Sequence, residues 1–381
     1  MLAPLENDPR DYAWGSVTRI AGLQGREPTG RPEAEVWFGD HPGAPARLGD
    51  GRRLDVRLRE RDEPPLPYLL KLLAAAAPLS IQAHPTKAQA EAGFAAEDRA
   101  GIPRDAAERN YRDANHKPEI VVALGGPFEA LAGLRDLDAT RTLLAALPQT
   151  AAVAALTDRL AGDDAAAALR GTLAWLLSGE AQAEVDGVIA AVSTADASAA
   201  APEFAAVRRI AAQYPGDPGV VVALLMNLVR LEEGEALYAP AGVLHAYLDG
   251  LGVELMAASD NVLRGGLTPK HIDVEELLRV VDTTPSAPPR IAPVPVASGV
   301  EVFRPDVPDF ELWRVDVEDA ARTVPLHGPA IVLAVAGEVH VGSGSGAGID
   351  LAPGGAAFAT TDEGALTVSG HGRAYIALPG H

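Results

Sequence analysis

A set of spaced turn residues that ends in a histidine limits the folds that this chain can adopt. Five residues separate Gly234 from Pro240, and Gly242 follows two positions after the proline. His245 comes three positions after Gly242. Proline fixes its own backbone angle, and glycine accepts conformations that other residues avoid, so the spacing predicts a tight turn between two strands. We expect this turn to fix His245 on the inner face of a β-barrel.

The spacing G-x5-P-x-G-x2-H resembles the second metal motif of the cupin β-barrels. A chance match to four spaced positions is uncommon, so we interpret His245 as a metal ligand. Six other histidines lack comparable context, and we interpret them as loop or surface residues: His41, His271, His327, His340, His371 and His381.

Composition limits what can hold a metal and what can bind the chain. None of the 381 residues is cysteine, so any metal must be held by histidine, carboxylate or amide oxygen. The net charge of −20 would repel nucleic acid or an anionic membrane at long range. A small anionic substrate needs only a few local Lys or Arg. We find no signal peptide or membrane span, and expect a cytoplasmic monomer that binds neither nucleic acid nor membrane.

Changes in composition predict several domains. In a first segment, residues 1–135, short apolar runs broken by Gly, Pro and Asp over 1–85 suit β-strands, and residues 86–112 suit one or two polar helices. Residues 136–230 are rich in Ala, with Leu at helical intervals. Strand-forming sequence returns in residues 231–283, and a Pro-rich connection at 283–296 leads to a Gly-rich β region at 298–381. We therefore predict a mainly β fold with an inserted α-helical domain and a second β-domain.

A polar trio lies along a predicted strand. Ser80, Gln82 and His84 alternate with apolar residues, so their side chains share one face, and Pro85 ends the strand. Such a strand could line a wet cavity and supply metal ligands. It could also be an edge strand with its polar face in solvent.

A second polar segment enters a buried strand. Lys117 and Glu119 lie on one face if the chain is already extended there, and Asn115 joins them two residues earlier. Pro118 favours that extended conformation of the preceding residue. His116 then points to the opposite face. The alternative is a plain surface ion pair.

Together these motifs supply two imidazoles, one carboxylate and one amide oxygen, from Gln82, His84, Glu119 and His245. This donor set suits Zn²⁺ and would also accept Mn, Fe or Co.

Charged residues follow His245 closely. Glu254 and Asp260 are acidic, and Arg264 and Lys270 are cationic, within one short polar stretch. A solvated β-hairpin is one explanation. A polar loop at the mouth of a barrel, where binding sites usually lie, is the other.

Residues 111–119 (YRDANHKPE) and 245–270 resemble the two signature segments of the type I phosphomannose isomerases. The resemblance extends to residues 12–15, 35–37 and 66–71. One departure is a glycine after Arg264, where the family usually has alanine.

The resemblance implies a zinc ion held by Gln82, His84, Glu119 and His245, and an active-site arginine at Arg264. It implies a catalytic cupin (jelly-roll) barrel with a helical domain inserted beside it and a second cupin without metal. It also implies a pocket lined by eight further residues: Trp14, Lys71, Ser80, Lys117, Tyr247, Glu254, Asp260 and Lys270.

The implied reaction interconverts mannose 6-phosphate and fructose 6-phosphate through a cis-enediol(ate). Glu254, Asp260 and Lys117 are the candidates for the general base. Arg264 would serve the enediolate or the phosphate. Two alternatives are a non-catalytic cupin that binds sugar phosphate and an isomerase of another phosphorylated aldose.

Overall fold

The computed structural model describes residues 1–195, 201–318 and 320–381. In this part of the chain, two antiparallel sheets of ten and nine strands are accompanied by ten α-helices. The mainly β character expected from the sequence is confirmed. No described helix has the length and apolar character needed to cross a bilayer.

In chain order the strands are β1 (Leu2–Glu6), β2 (Glu35–Phe38), β3 (Arg47–Leu48), β4 (Tyr68–Ala75), β5 (Gln82–Ala83), β6 (Glu119–Leu134), β7 (Met226–Leu231), β8 (Ala236–Ala239), β9 (His245–Ala257), β10 (Leu263–Arg264), β11 (Arg290–Ile291), β12 (Val294–Ala297), β13 (Val300–Phe303), β14 (Glu311–Val317), β15 (Arg322–Pro325), β16 (Ala330–Ser343), β17 (Gly348–Leu351), β18 (Ala356–Ala359) and β19 (Ala365–Leu378). The helices are α1 (Arg19–Leu23), α2 (Leu54–Glu60), α3 (Lys87–Arg99), α4 (Leu137–Ala145), α5 (Ala151–Arg159), α6 (Ala165–Leu177), α7 (Gln182–Thr194), α8 (Ala201–Gln213), α9 (Gly219–Leu225) and α10 (Val274–Val280).

The nine-stranded sheet is organised around β6 and β9, which pair with each other along most of their length. Strand β9 also pairs with β4 and β5, while β6 pairs with β7 and β8. Glu119 and His245 are the first residues of β6 and β9. The two longest strands of this sheet therefore begin at residues that the sequence singles out as metal ligands.

Helices α4 to α9 lie between β6 and β7 in the Ala-rich part of the chain. Side chains at their starts accept the free backbone N–H groups: Asp136 caps α4, Thr150 caps α5 and Asp164 caps α6. Leucines at helical spacing, including Leu144 and Leu173, are buried in one apolar cluster with the other helices.

The ten-stranded sheet contains both ends of the described chain. Strand β1 pairs with β18, with Leu2 opposite Ala359 and Leu5 opposite Ala356, and β3 pairs with β1. The first strand of segment 1–135 therefore extends the sheet built mainly from residues 298–381. Period-2 alternation puts Leu5 into the core that residues of both sheets share.

The interior of the C-terminal strands is filled by apolar side chains. Val300, Trp313, Val332, Leu366 and Ile376 belong to one buried cluster there. Close packing of this kind leaves the centre of this unit dry, in contrast to the polar interior of the nine-stranded sheet.

We expect Leu5→Ala to reduce the free energy of unfolding by about 2–5 kcal/mol, because it leaves a cavity between the sheets. Urea denaturation measures the change. Val294→Ala, on the exposed edge strand β12, is the control and should change stability by less than about 0.5 kcal/mol. Equal effects of the two substitutions would contradict a structural role for β1.

Candidate metal centre and active site

The centre of the site is the buried carboxylate of Glu119, which is 2% exposed. Its Oε2 lies 3.3 Å from His84 Nε2, and its Oε1 lies 3.0 Å from His245 Nε2. The three ligand atoms all lie within 4.8 Å of one another. Two imidazoles and one carboxylate at this spacing could hold a divalent ion such as zinc.

Both histidines are oriented by backbone carbonyls. His84 Nδ1 lies 2.8 Å from Asn261 O, and His245 Nδ1 lies 3.0 Å from Val243 O. Because a carbonyl only accepts, each Nδ1 carries a proton, and Nε2 is the ring atom that each histidine can offer a metal. Burial and the neighbouring Lys117 lower the pKa of His84 to about 4, so this ring is neutral at neutral pH.

The turn predicted from the sequence joins the two histidine segments. Gly242 has φ = 83°, in the left-handed region that favours glycine. Its backbone N–H donates to His84 O at 2.9 Å. The turn before His245 therefore also holds the segment that carries His84, and the left-handed backbone at Gly242 is the reason that the motif needs glycine here.

Gln82 lies beside these ligands because β5 pairs with β9, with Gln82 opposite His245. Its side-chain nitrogen donates to Ser80 Oγ at 3.1 Å. This hydrogen bond identifies Oε1 as the atom that Gln82 can offer a metal. Ser80 and Gln82 thus share a face, as strand alternation predicts.

The ammonium of Lys117 shows that the ligand atoms face a position suited to a cation. Its Nζ donates to Glu119 Oε2 and lies 3.4 Å from His84 Nε2. Although burial opposes ionisation, the charges of Lys117 and His245 hold the pKa of Glu119 well below its usual range. The donor set therefore presents an ionised carboxylate beside two imidazoles, which are groups that bind zinc.

A second layer of buried charge lies beside the ligands. Lys71 Nζ is 2.8 Å from Glu254 Oε2 and 3.4 Å from Glu35 Oε1. Burial raises the pKa of Glu254 despite this ammonium. Tyr247 donates its hydroxyl to Glu119 Oε1 at 2.8 Å.

These groups line one small cavity of about 80 Å³. Nine of its lining residues carry polar or charged side chains: Glu35, Lys71, Ser80, Gln82, Lys117, Glu119, His245, Tyr247 and Glu254.

Three residues from the expected pocket do not line that cavity: Trp14, Asp260 and Lys270. Asp260 is half-exposed and pairs with His41 Nε2 at 3.3 Å in a neighbouring cleft. Trp14 is partly buried and packs against the apolar cluster that includes Tyr247. His41, which the sequence analysis places in a loop or at the surface, therefore forms a polar contact with Asp260 in that cleft.

Three cationic side chains lie close together near the strands that carry the metal ligands: Arg112, Arg264 and Lys270. Strand pairing sets Arg264 opposite Gln82, and the neighbouring Gly265 donates its backbone N–H to Ile81 O at 2.8 Å. Burial and the nearby Arg112 lower the pKa of Arg264. Burial, Arg264 and Arg112 lower the pKa of Lys270. Within the described residues, none of the three cations forms an ion pair with a carboxylate. Unbalanced positive charge of this kind favours an anionic ligand.

His116 lies on the face opposite to Lys117, as the alternation predicts. Its Nε2 is 2.6 Å from Asp309 Oδ2, which belongs to the C-terminal region. Both side chains are mostly buried. The backbone that carries Lys117 and Glu119 is therefore tied to the other β unit.

Sequence reasoning missed Glu35, Arg112, Asn261 and Asp309 as parts of the site. The sequence carried a weak signal for Glu35, since this residue begins the buried strand β2 in a segment that resembles the family. No sequence signal pointed to Asp309, because 193 residues separate it from its partner His116.

The fold and the site together define a mainly β protein with a buried His–His–Glu centre. Residues 2–137 match the family described as phosphomannose isomerase type I, catalytic domain. A mannose-6-phosphate isomerase of Escherichia coli is 39% identical over 98% of each chain. One from Bos taurus is 33% identical over 94% of this chain and 93% of its own.

A solved structure shares the whole fold. It is mannose 6-phosphate isomerase from Salmonella typhimurium, bound to its substrate fructose 6-phosphate and to zinc. The two chains align with a TM-score of 0.90 and 36% identity over 100% of each. The chain belongs to the type I phosphomannose isomerase family.

We expect Asp309→Ala to reduce the free energy of unfolding by about 1–3 kcal/mol, because it leaves His116 without its buried partner. Asp350→Ala is the matched control, since Asp350 pairs with the exposed His340 at 2.7 Å. Asp350→Ala should reduce the free energy of unfolding by less than about 1 kcal/mol. Denaturant titration compares the two, and an equal loss would show that the His116 contact adds nothing.

Proposed function

We propose that this chain interconverts D-mannose 6-phosphate and D-fructose 6-phosphate through a cis-enediol(ate) at a zinc centre. The observation that carries the proposal is one cavity that combines the metal-ligand set with a buried acid–base pair, Glu254 and Lys71. The Salmonella typhimurium relative binds fructose 6-phosphate and zinc, which supports the same substrate class for this chain.

For the domain organisation, we propose a catalytic cupin barrel from residues 1–135 and 231–283. Residues 136–230 form the inserted helical domain, and residues 298–381 form a second cupin-like barrel. The pairing of β5, β6 and β9 around the ligands supports the first barrel. The cytoplasmic location and the monomeric state stay predictions of the sequence.

Zinc would be held by Gln82, His84, Glu119 and His245, all of which belong to the nine-stranded sheet or its immediate connections. When bound, the ion supplies Lewis-acid polarisation of sugar oxygens. Lys117 lies beside the ligands and can hydrogen-bond to a sugar oxygen that gains negative charge.

Glu254 is the proposed general base. In the reaction, one carboxylate must take a proton from one carbon of the open-chain sugar and return it to the neighbouring carbon. Burial raises the pKa of Glu254, which brings its proton affinity closer to that needed at neutral pH. Lys71 fixes the carboxylate at 2.8 Å and keeps it in the cavity.

The reacting sugar phosphate carries negative charge at two places, the phosphate and the developing enediolate. The three cations Arg264, Arg112 and Lys270 could bind these groups. Arg264 adjoins Gln82 and is the more buried, so we assign it to the developing enediolate. Arg112 and Lys270 are exposed and would bind the phosphate. Asp260, paired with His41, would shape the entrance rather than transfer the proton.

We expect His245→Ala to lose one zinc ion per chain together with turnover, because it removes a ligand from the buried centre. Turnover of mannose 6-phosphate and zinc content, each measured before and after chelation, test this. His271→Ala, at an exposed histidine, is the control and should retain both. Full turnover by protein shown to be metal-free would contradict a zinc mechanism. Binding without turnover would favour a sugar-phosphate sensor, and preference for another phosphorylated aldose would change the substrate.

We expect Arg264→Ala to lower kcat by roughly 10²-fold, the usual scale for losing one transition-state stabiliser, with zinc content unchanged. Arg112→Ala is the matched control and should chiefly raise KM, because a phosphate contact acts equally in ground state and transition state. Steady-state measurements of kcat and KM for both variants test whether Arg264 acts on the enediolate or on the phosphate. If Arg264→Ala changes only KM, this arginine is a phosphate anchor.

A further inference from the structure

A second group of metal-ligating side chains lies in the ten-stranded unit. Glu311, His327 and His381 each offer one ligand atom, and these atoms lie within 4.8 Å of one another. The group has the same composition as the catalytic centre: two imidazoles and one carboxylate. The family resemblance implies no metal in this unit, and no sequence motif predicts one there.

Glu311 is the buried member of the group. It is the first residue of β14 and shares the inner face of this strand with Trp313 and Val315. The side chain is fully buried. Oε1 accepts from Trp313 Nε1, and Oε2 accepts from Arg304 Nε, both at 2.7 Å. These two hydrogen bonds fix the orientation of the carboxylate, and each oxygen keeps a second lone pair.

The two histidines face those lone pairs. His327 Nε2 lies 3.7 Å from Glu311 Oε1, and His381 Nε2 lies 3.6 Å from Glu311 Oε2. These separations are longer than direct hydrogen bonds. Since zinc binds nitrogen and oxygen at about 2.0–2.2 Å, one ion can lie between such atoms after small ring rotations. The two rings stack at 4.3 Å between centroids, so both are already in place.

The backbone around the histidines is held in position. Gly380 N–H donates to Pro308 O at 3.1 Å, which fixes the segment that carries His381. His327 Nε2 is 2.8 Å from Pro379 O, and without a metal it donates its proton there. Metal binding would move that proton to Nδ1 and exchange this hydrogen bond for coordination.

We propose that Glu311, His327 and His381 form a second site for a divalent ion of the zinc class. The ion completes its coordination with water, because both histidines are solvent-accessible. Arg304 remains on the outer side of Glu311 and orients the carboxylate. By joining β14, the loop before β16 and the segment after β19, the ion stabilises the ten-stranded unit. The proposal does not depend on the catalytic assignment.

The test is a titration of metal-free full-length protein with Zn²⁺ alone, followed by calorimetry and by metal analysis after gel filtration. Wild-type protein should bind two ions per chain, and His327→Ala and His381→Ala should each bind one. His340→Ala, at an exposed histidine of the same unit, is the control and should bind two. The proposal fails if wild-type protein binds a single ion, or if His327→Ala and His381→Ala retain the wild-type stoichiometry.

A second measurement isolates the new site from the catalytic one. In a His245→Ala background, zinc should still raise the melting temperature, and the added substitution His327→Ala should abolish that rise. In an otherwise wild-type chain loaded with zinc, His327→Ala should leave kcat for mannose 6-phosphate unchanged. A zinc-independent melting temperature in the His245→Ala variant overturns the second site, whatever the outcome for the catalytic proposal.

Discussion

The carboxylate of Glu119 is buried, and the residues around it must compensate for the water that it loses. An ionised carboxylate removed from water is stable only when positive charge and hydrogen bonds replace its hydration. Lys117 and Tyr247 contact it directly, and His84 and His245 present ring nitrogens to it. Strands β6 and β9 begin at Glu119 and His245, so their pairing and this charge arrangement depend on each other.

The buried charges around this carboxylate alternate in sign. Lys117 lies against Glu119, and Lys71 lies between Glu254 and Glu35. Removing one charge leaves its neighbours uncompensated in a medium of low dielectric, so the effects of single substitutions here will not add. Burial raises the pKa of Glu254, whereas the neighbouring charge of Lys117 helps to hold the pKa of Glu119 below its usual range, although both are glutamates in one cavity.

Local sequence rules predicted the parts of the site that depend on neighbours in the chain. Strand alternation separates Lys117 from His116, and the glycine of the turn before His245 has the left-handed backbone that the spacing implies. Contacts between distant segments gave no such signal. Asp309 reaches His116 across 193 residues, and β1 pairs with β18 across more than 350. The apolar and polar patterns of these segments are compatible with many pairing partners. Packing of the whole core therefore determines which segments pair.

The pairing of β1 with β18 also affects how the chain can fold during synthesis. Leu2–Glu6 is synthesised long before its partner Ala356–Ala359. Until then, the ribosome holds a growing chain whose first strand has exposed backbone groups and an unburied leucine. Such an unpaired strand edge can associate with other chains. Closing the ten-stranded sheet is therefore a late step, in which β1 pairs with β18 after the ligand strands β6 and β9 have been synthesised.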